Sequence, residues 1–171
     1  MVLVERISAM QTFVSTFEMR TDVKGRVSIP KAYREVLRAD GFEGLYCIPS
    51  PDGQSIDAGG SKLMGMLDAK LAALDPTSFD YDLLATAFFG ESEILSVEKE
   101  GRISLSPRLK SLAGIERELI FVGKGYKFQI WSPERYARYR EKAIEQARRV
   151  LWGDQSGATL AAQGSGGEDR S

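Results

Sequence analysis

An internal repeat constrains this chain more than any other feature. Residues 22–37, DVKGRVSIPKAYREVL, align without a gap on residues 98–113, EKEGRISLSPRLKSLA. Gly25 falls on Gly101, Arg26 on Arg102 and Ser28 on Ser104; Val27/Ile103 and Ile29/Leu105 are apolar in both copies, and Arg34/Lys110 are both cationic. The flanks repeat in kind. A strand-like segment precedes each copy, FVSTFEM at 13–19 and SEILSV at 92–97, with β-branched and aromatic residues alternating with small polar ones. Pro30 and Pro107 then open short amphipathic helices, where a missing backbone N–H costs little. Tyr33, Val36 and Leu37 share one face of the first; Leu109 and Leu112 point inward in the second, which Gly114 stops. Each half returns to strands, GLYCI at 44–48 in the first and ELIFVG (118–123) with KFQIW (127–131) in the second. The partner strand of the first half is weak, since PDGQSIDA has turn residues but only Ile56 as an apolar anchor.

Each half closes with helix. Leu63, Met64, Leu67, Leu71 and Leu74 recur at helical spacing until Asp75-Pro76, and FDYDLLATAFFG (79–90) reads as a second short helix. The last helix starts at Ser132-Pro133 and runs to about Trp152, with Tyr136, Tyr139, Ala143, Ala147 and Val150 as an apolar stripe expected in core or subunit contact. These patterns divide the chain into an N-terminal extension (1–12, expected flexible), a first repeat (13–90), a second repeat (91–152) and a Gly/Ser-rich tail (153–171, expected disordered). The class is mainly β with helices.

Composition removes several kinds of chemistry. There is no histidine and only one cysteine among 171 residues, so disulfide frameworks, Cys/His zinc sites and Ser-His or Cys-His dyads are excluded. Cys47 lies in an apolar strand and reads as a packing residue. The acids of FDYD, Asp80 and Asp82, read as a helix-start cap or solvated face rather than an acid–base pair. No Gly-rich phosphate loop precedes a helix, so no enzyme, cofactor, metal or small-molecule substrate is expected. No apolar run approaches membrane-span length and the N-terminus does not read as a signal peptide, which makes the cytoplasm the expected location.

The net charge of −1 hides an asymmetry. Residues 20–38 carry Arg20, Lys24, Arg26, Lys31, Arg34 and Arg38 against Asp22 and Glu35, whereas residues 43–97 carry nine acids against Lys62 and Lys70. Within the repeat, D-x-x-G-R is chemically a turn: Asp22 accepts turn N–H groups, Gly25 supplies a positive φ, and Arg26 emerges on a fixed backbone at the next strand. Lys24, Arg26, Lys31 and Arg34 cluster around it. Clustered cations on a small rigid β element suit phosphate contact, and arginine also reads guanine edges bidentately. An isolated Asp–Arg pair on a solvated hairpin is the plainer reading of the motif.

FVSTFEMRTDVKGRVSIPKAYREVL and EGRISLSPRLKSLAGIERELIFVGKGYKFQIWSPERYARY, with the GxGxxFxIW stretch, resemble the two halves of the MraZ family of bacterial transcriptional regulators, in the AbrB/SpoVT-like superfamily, over roughly residues 13–152. The resemblance implies two tandem AbrB-like swapped-hairpin repeats forming a pseudo-dimeric double-split β-barrel with flanking helices. It also implies a ring homo-oligomer, octamer or larger. Such a ring binds double-stranded DNA at tandem direct repeats upstream of the division and cell-wall gene cluster, is nucleoid-associated, and usually represses that cluster. Arg26 then matches the motif arginine, Lys24 is a phosphate-contacting candidate beside it, Lys31 and Arg34 extend the DNA-binding surface, and Asp22 and Gly25 form the turn.

The chain departs from the family pattern in three places. Glu98 stands where Asp is usual, and its extra methylene is expected to loosen the second turn. Ser106 takes the place of the first copy's Pro30, and Val14-Ser15 that of a usual Arg-Gly. The second copy, Glu98, Gly101 and Arg102, is therefore expected to be mostly structural. The rival reading is an oligomeric protein-interaction scaffold in which Asp22–Arg26 is a salt bridge between subunits.

Overall fold

Both repeats form the elements their patterns require, and the way these interleave places the two D/E-x-x-G-R turns. The computed structural model describes residues 12–153. In chain order it contains β1 (Thr16–Arg20), β2 (Arg26–Ser28), α1 (Lys31–Asp40), β3 (Leu45–Pro49), β4 (Ile56–Gly59), α2 (Ser61–Ala72) and α3 (Phe79–Ala85), which continues into a π turn (Thr86–Gly90). There follow β5 (Glu93–Leu95), β6 (Arg102–Ser104), α4 (Pro107–Ala113), β7 (Glu118–Gly123), β8 (Phe128–Trp131) and α5 (Pro133–Trp152). The expectations for the N-terminal extension and the tail fall on residues outside the described ones.

Six strands make an antiparallel sheet in the order β1-β7-β8-β4-β3-β5. Counted from either edge, the order is the same in repeat units: leading strand, then the first and second strands of a hairpin. Each leading strand pairs with the hairpin of the other repeat. Phe17 of β1 lies opposite Phe121 of β7, and Tyr46 of β3 opposite Ile94 of β5. Among the described residues, the two strands that follow the turns, β2 and β6, pair only with each other, Val27 opposite Ile103. An approximate twofold axis therefore passes between β4 and β8 and through the Val27–Ile103 pair. The α+β, mainly antiparallel class holds, but the expected barrel does not close: the six-stranded sheet and the β2–β6 ladder are separate hydrogen-bonded units.

One core serves both repeats. Val27, Ile29, Tyr33 and Leu37 are buried with their repeat mates Ile103, Leu105, Leu109 and Ala113. Phe13, Phe121 and Phe128 surround Tyr33, with ring centroids 5.4, 6.2 and 4.9 Å from it, and the Tyr33 hydroxyl donates to the Ser15 carbonyl at 2.5 Å. Ser15 adopts φ +75°, the left-handed region that L residues enter at a cost. A smaller cluster of Tyr46, Ile48 and Leu63 seats α2.

The two short helices start differently because of the displaced proline. Ser106, at the N-cap of α4, accepts the Leu109 N–H at 3.2 Å with Pro107 as the first helical residue. In α1 Pro30 itself occupies the N-cap, one residue before the expected helical position, and gives no side-chain cap. Gly41 and Gly114 end these helices in the left-handed conformation.

The weak strand of the first half is in fact central. All four residues of β4 are buried between β3 and β8. Asp57 is 3% exposed, and its carboxylate accepts Lys127 Nζ at 2.6 Å and Gln129 Nε2 at 2.8 Å, while Gln129 in turn accepts Trp131 Nε1 at 3.0 Å. A buried polar strand is tolerated when every member is paired, and here the partners come from β8 and the residue preceding it.

The chain divides into two compact units at Arg135–Tyr136, inside α5. Everything described above except α5 belongs to the first. In the second, the helix from Tyr136 has no buried residue and is exposed from Glu141 onward, so the apolar stripe through Ala143, Ala147 and Val150 is not core.

Candidate nucleic-acid interface

The β2–β6 ladder is two short strands, and each is entered through one copy of the motif turn. The backbones of the two turns are nearly the same. Asp22 N–H donates to Arg26 O at 2.7 Å and Gly25 N–H to Asp22 O at 3.0 Å; in the second copy Glu98 N–H donates to Arg102 O at 2.9 Å and Gly101 N–H to Glu98 O at 2.8 Å. Gly25 and Gly101 have φ +79° and +83°, a conformation that glycine alone adopts without strain. The extra methylene of Glu98 thus leaves the backbone turn intact, against the expectation of a looser one.

What the methylene changes is the carboxylate's work. In the first turn, Asp22 Oδ1 accepts Lys24 N–H at 2.8 Å and Arg26 N–H at 2.9 Å, and Oδ2 accepts Arg26 Nε at 2.9 Å. These bonds stabilise the ionised form: the Arg26 backbone N–H, ahead of the Arg26 side chain and Lys24 N–H, holds the Asp22 carboxyl below the usual carboxylate range, against partial desolvation. Glu98 receives no turn N–H. It reaches outward, with Oε2 3.0 Å from Arg102 Nε and 3.8 Å from Arg26 Nη1, while Glu100 pairs with Arg102 at 3.2 Å. The two motif arginines therefore converge on one carboxylate. Asp22 and Arg26 bond to each other within this chain, 2.9 Å apart.

The basic cluster of residues 20–38 is divided by the fold. Lys24 is exposed on the first turn, with Arg26 half-buried beside it, and Lys31 is exposed at the start of α1. Arg20 instead pairs with Glu118 across β1–β7 at 2.6 Å. Arg34 crosses to the second turn, where its Nη1 donates to Glu100 O at 3.2 Å and its Nε is buried without a hydrogen-bond partner among the described residues. Its stem covers Gly101 so closely that an added Cβ would stand 2.2 Å from Arg34 Cδ. The reciprocal contact comes from Lys110, whose Nζ would be 3.3 Å from a Cβ on Gly25. Each repeat's helix thus sends a cation over the other repeat's turn. Lys110 had a sequence signal, its alignment with Arg34, but local reading assigns each cation to its own copy. A cleft of about 200 Å3 beside the second turn brings Arg38 and Lys99 next to Arg34.

Other candidates resolve simply. Asp80 and Asp82 lie in the first turn of α3 behind the Ser78 cap, where carboxylates favour the helix dipole. Cys47 is buried, and burial pushes its thiol pKa well up. No group of three or more acidic, His or Cys side chains is placed to hold a metal among the described residues, and no helix there is long and apolar enough to cross a membrane.

Comparison with known proteins bears on what such paired turns are for. A protein of Beijerinckia indica named "Transcriptional regulator MraZ" is 50% identical over 139 residues, 81% of this chain and 85% of the relative. The chain belongs to the MraZ family. The family model described as "MraZ protein, putative antitoxin-like" matches residues 88–150, which contain the second turn. Two further relatives carry the same name: a Methylocella silvestris protein is 48% identical over 81% of this chain and 85% of its own length. The other, from Parvibaculum lavamentivorans, is 37% identical over 92% of this chain and 99% of its own. MraZ similarity therefore extends over both repeats.

Proposed function

We propose that this protein is a transcriptional regulator that binds DNA sequence-specifically through its motif turns, Arg26 foremost, and that it represses the division and cell-wall gene cluster from its own promoter. It works in the cytoplasm at the nucleoid, as a ring of eight or more copies seated on tandem direct repeats. The observation that carries the reading is the pair of arginine-bearing turns flanking one isolated two-stranded ladder, in a chain 50% identical over 139 residues to a protein named as a transcriptional regulator.

Physical reasons support each part. A two-stranded antiparallel ribbon fits the width of the DNA major groove, where arginine reads guanine O6 and N7. Asp22, bonded to Arg26 through backbone and side chain, fixes the direction of the guanidinium before DNA arrives and lowers the ordering cost. The two turns are alike in backbone and unlike in side chains, so one chain presents an oriented rather than a twofold surface. Symmetric readers match palindromes; an oriented one matches direct repeats. A single such surface neutralises few phosphates and binds weakly. Several copies on one DNA raise effective concentration and convert modest contacts into occupancy. Copies have an apolar surface to bury: α3 contains no buried residue, Phe79 is 75% exposed and Leu83 54%, and Ile94 on the edge strand is 61% exposed.

Titration of duplexes carrying one, two or three upstream repeats tests the reading. Affinity should climb steeply with repeat number and vanish on shuffled sequence. A single repeat that binds as tightly as three would sink the ring part, and equal binding to shuffled DNA would sink the sequence-specific part.

A further inference from the structure

The tip of the first turn carries the most exposed large apolar side chain among the described residues: Val23 is 95% exposed. Such a residue contributes nothing to folding by burial, and turn tips ordinarily take Gly, Asn, Asp or Ser. Its setting distinguishes it from a stray surface valine. Val23 sits between Asp22, whose carboxylate binds the turn backbone, and exposed Lys24, with Arg26 three residues on. The side chain is thus held out on a backbone fastened at both ends. In the second turn the same place is occupied by exposed Lys99, followed by Glu100 where the first turn has Lys24.

We infer that Val23 reads a thymine by its C5-methyl group in the major groove, while Lys99 at the matching place contacts phosphate, and that this difference sets the direction in which each chain lies on its repeat. The inference rests on the DNA-binding reading above and assigns a specificity residue within it. Base edges offer only one apolar group to a protein in the major groove, the thymine methyl, and none in the minor groove. An apolar tip followed by two cations, Lys24 and Arg26, therefore has one complementary target on duplex DNA: a methyl beside the phosphates and guanine edges that these two address. A lysine tip has the opposite preference. Because the ladder is nearly twofold in backbone, side chains alone break the tie between the two docking directions, and the exposed Val23/Lys99 pair is one such difference.

The test is a thymine scan with the full chain. Fluorescence anisotropy is measured on the upstream duplex, on a shuffled duplex, and on upstream duplexes in which each thymine in turn is replaced by deoxyuridine, which lacks only the methyl. The wild type should lose about fourfold in affinity per contacted methyl, at one thymine position in each repeat. Val23→Ser should weaken binding to the thymine duplex to a similar degree and become indifferent to the replacement, and Val23→Ile should restore the sensitivity. The inference is overturned if no thymine is sensitive in the wild type, or if Val23→Ser keeps the same sensitive thymine. A wild type that treats upstream and shuffled duplexes alike overturns the DNA-binding reading itself, a result visible before any deoxyuridine comparison.

Discussion

The two turns share a backbone and differ in what their carboxylates hold. Asp22 is short enough to fold back onto the turn N–H groups and to fix Arg26 from below. Glu98, one methylene longer, leaves its turn to the backbone bonds and reaches between Arg102 and Arg26. The first turn therefore presents Val23, Lys24 and an aimed arginine, and the second presents Lys99 above a carboxylate-matched Arg102 with Arg34 packed over Gly101. Both copies keep the backbone geometry that twofold packing needs, and on the proposed reading only the first addresses bases.

The largest expected break in this comparison is steric. Gly101→Ala meets both an unfavourable φ and the Arg34 stem at 2.2 Å, whereas Gly25→Ala meets the same φ but only the mobile end of Lys110 at 3.3 Å. Urea unfolding should show losses of about 2–4 kcal/mol for Gly101→Ala and about 1–2 kcal/mol for Gly25→Ala. Equal losses would mean that Arg34 yields as readily as Lys110.

Removing the shared carboxylate should sharpen the contrast from the other side. Glu98→Gln releases the Arg26 and Arg102 guanidiniums from their common counter-charge, so affinity for the upstream duplex should rise by roughly threefold to tenfold, with a steeper salt dependence. Unchanged affinity would place both arginines away from DNA. A smaller gain lies ahead of β1: Ser15→Gly relieves a left-handed serine while keeping the carbonyl that Tyr33 and Gly123 use, and should stabilise the fold by about 0.5–1 kcal/mol in the same urea assay.

The smallest effect is a pH dependence. Because the folded pKa of Asp22 lies below its ordinary value of 3.8, its stabilisation is fully present above that value and is lost as pH falls through the folded pKa. The stability difference between wild type and Asp22→Asn should be constant from pH 5 to 8, on the order of the range where carboxylates stay ionised, and shrink only in stronger acid. A difference that fades already near neutrality would contradict the bonding seen at the turn.

Much of this was legible in the sequence because it is local. The Gly-Arg-x-Ser alignment, the inward faces of Tyr33, Val36 and Leu37, the helix start at Pro107 and the stop at Gly114 all depend on neighbours within one turn or strand. What escaped depends on partners far along the chain. Asp57 makes β4 look like a poor strand until Lys127 and Gln129 are brought against it. Arg34 and Lys110 look like members of their own clusters until the strand exchange lays each helix over the other repeat's turn. The separate β2–β6 ladder beside the six-stranded sheet, within what the resemblance implied as a double-split β-barrel, is likewise a matter of which strands meet, and strand partners are not encoded in any single segment's pattern. The stripe on α5 reads as core or subunit contact because periodicity reports amphipathicity and not what covers it.

The most direct test of the central claim compares Arg26→Ala with Arg102→Ala on the upstream and shuffled duplexes, with the oligomeric mass of each variant measured in the same buffer. Arg26→Ala should cost about tenfold or more in affinity for the upstream duplex and abolish its preference over shuffled DNA. Arg102→Ala should cost less and keep that preference, and both variants should retain the wild-type mass. Loss of mass in Arg26→Ala with DNA preference unchanged would contradict the account and make the first turn a contact between subunits.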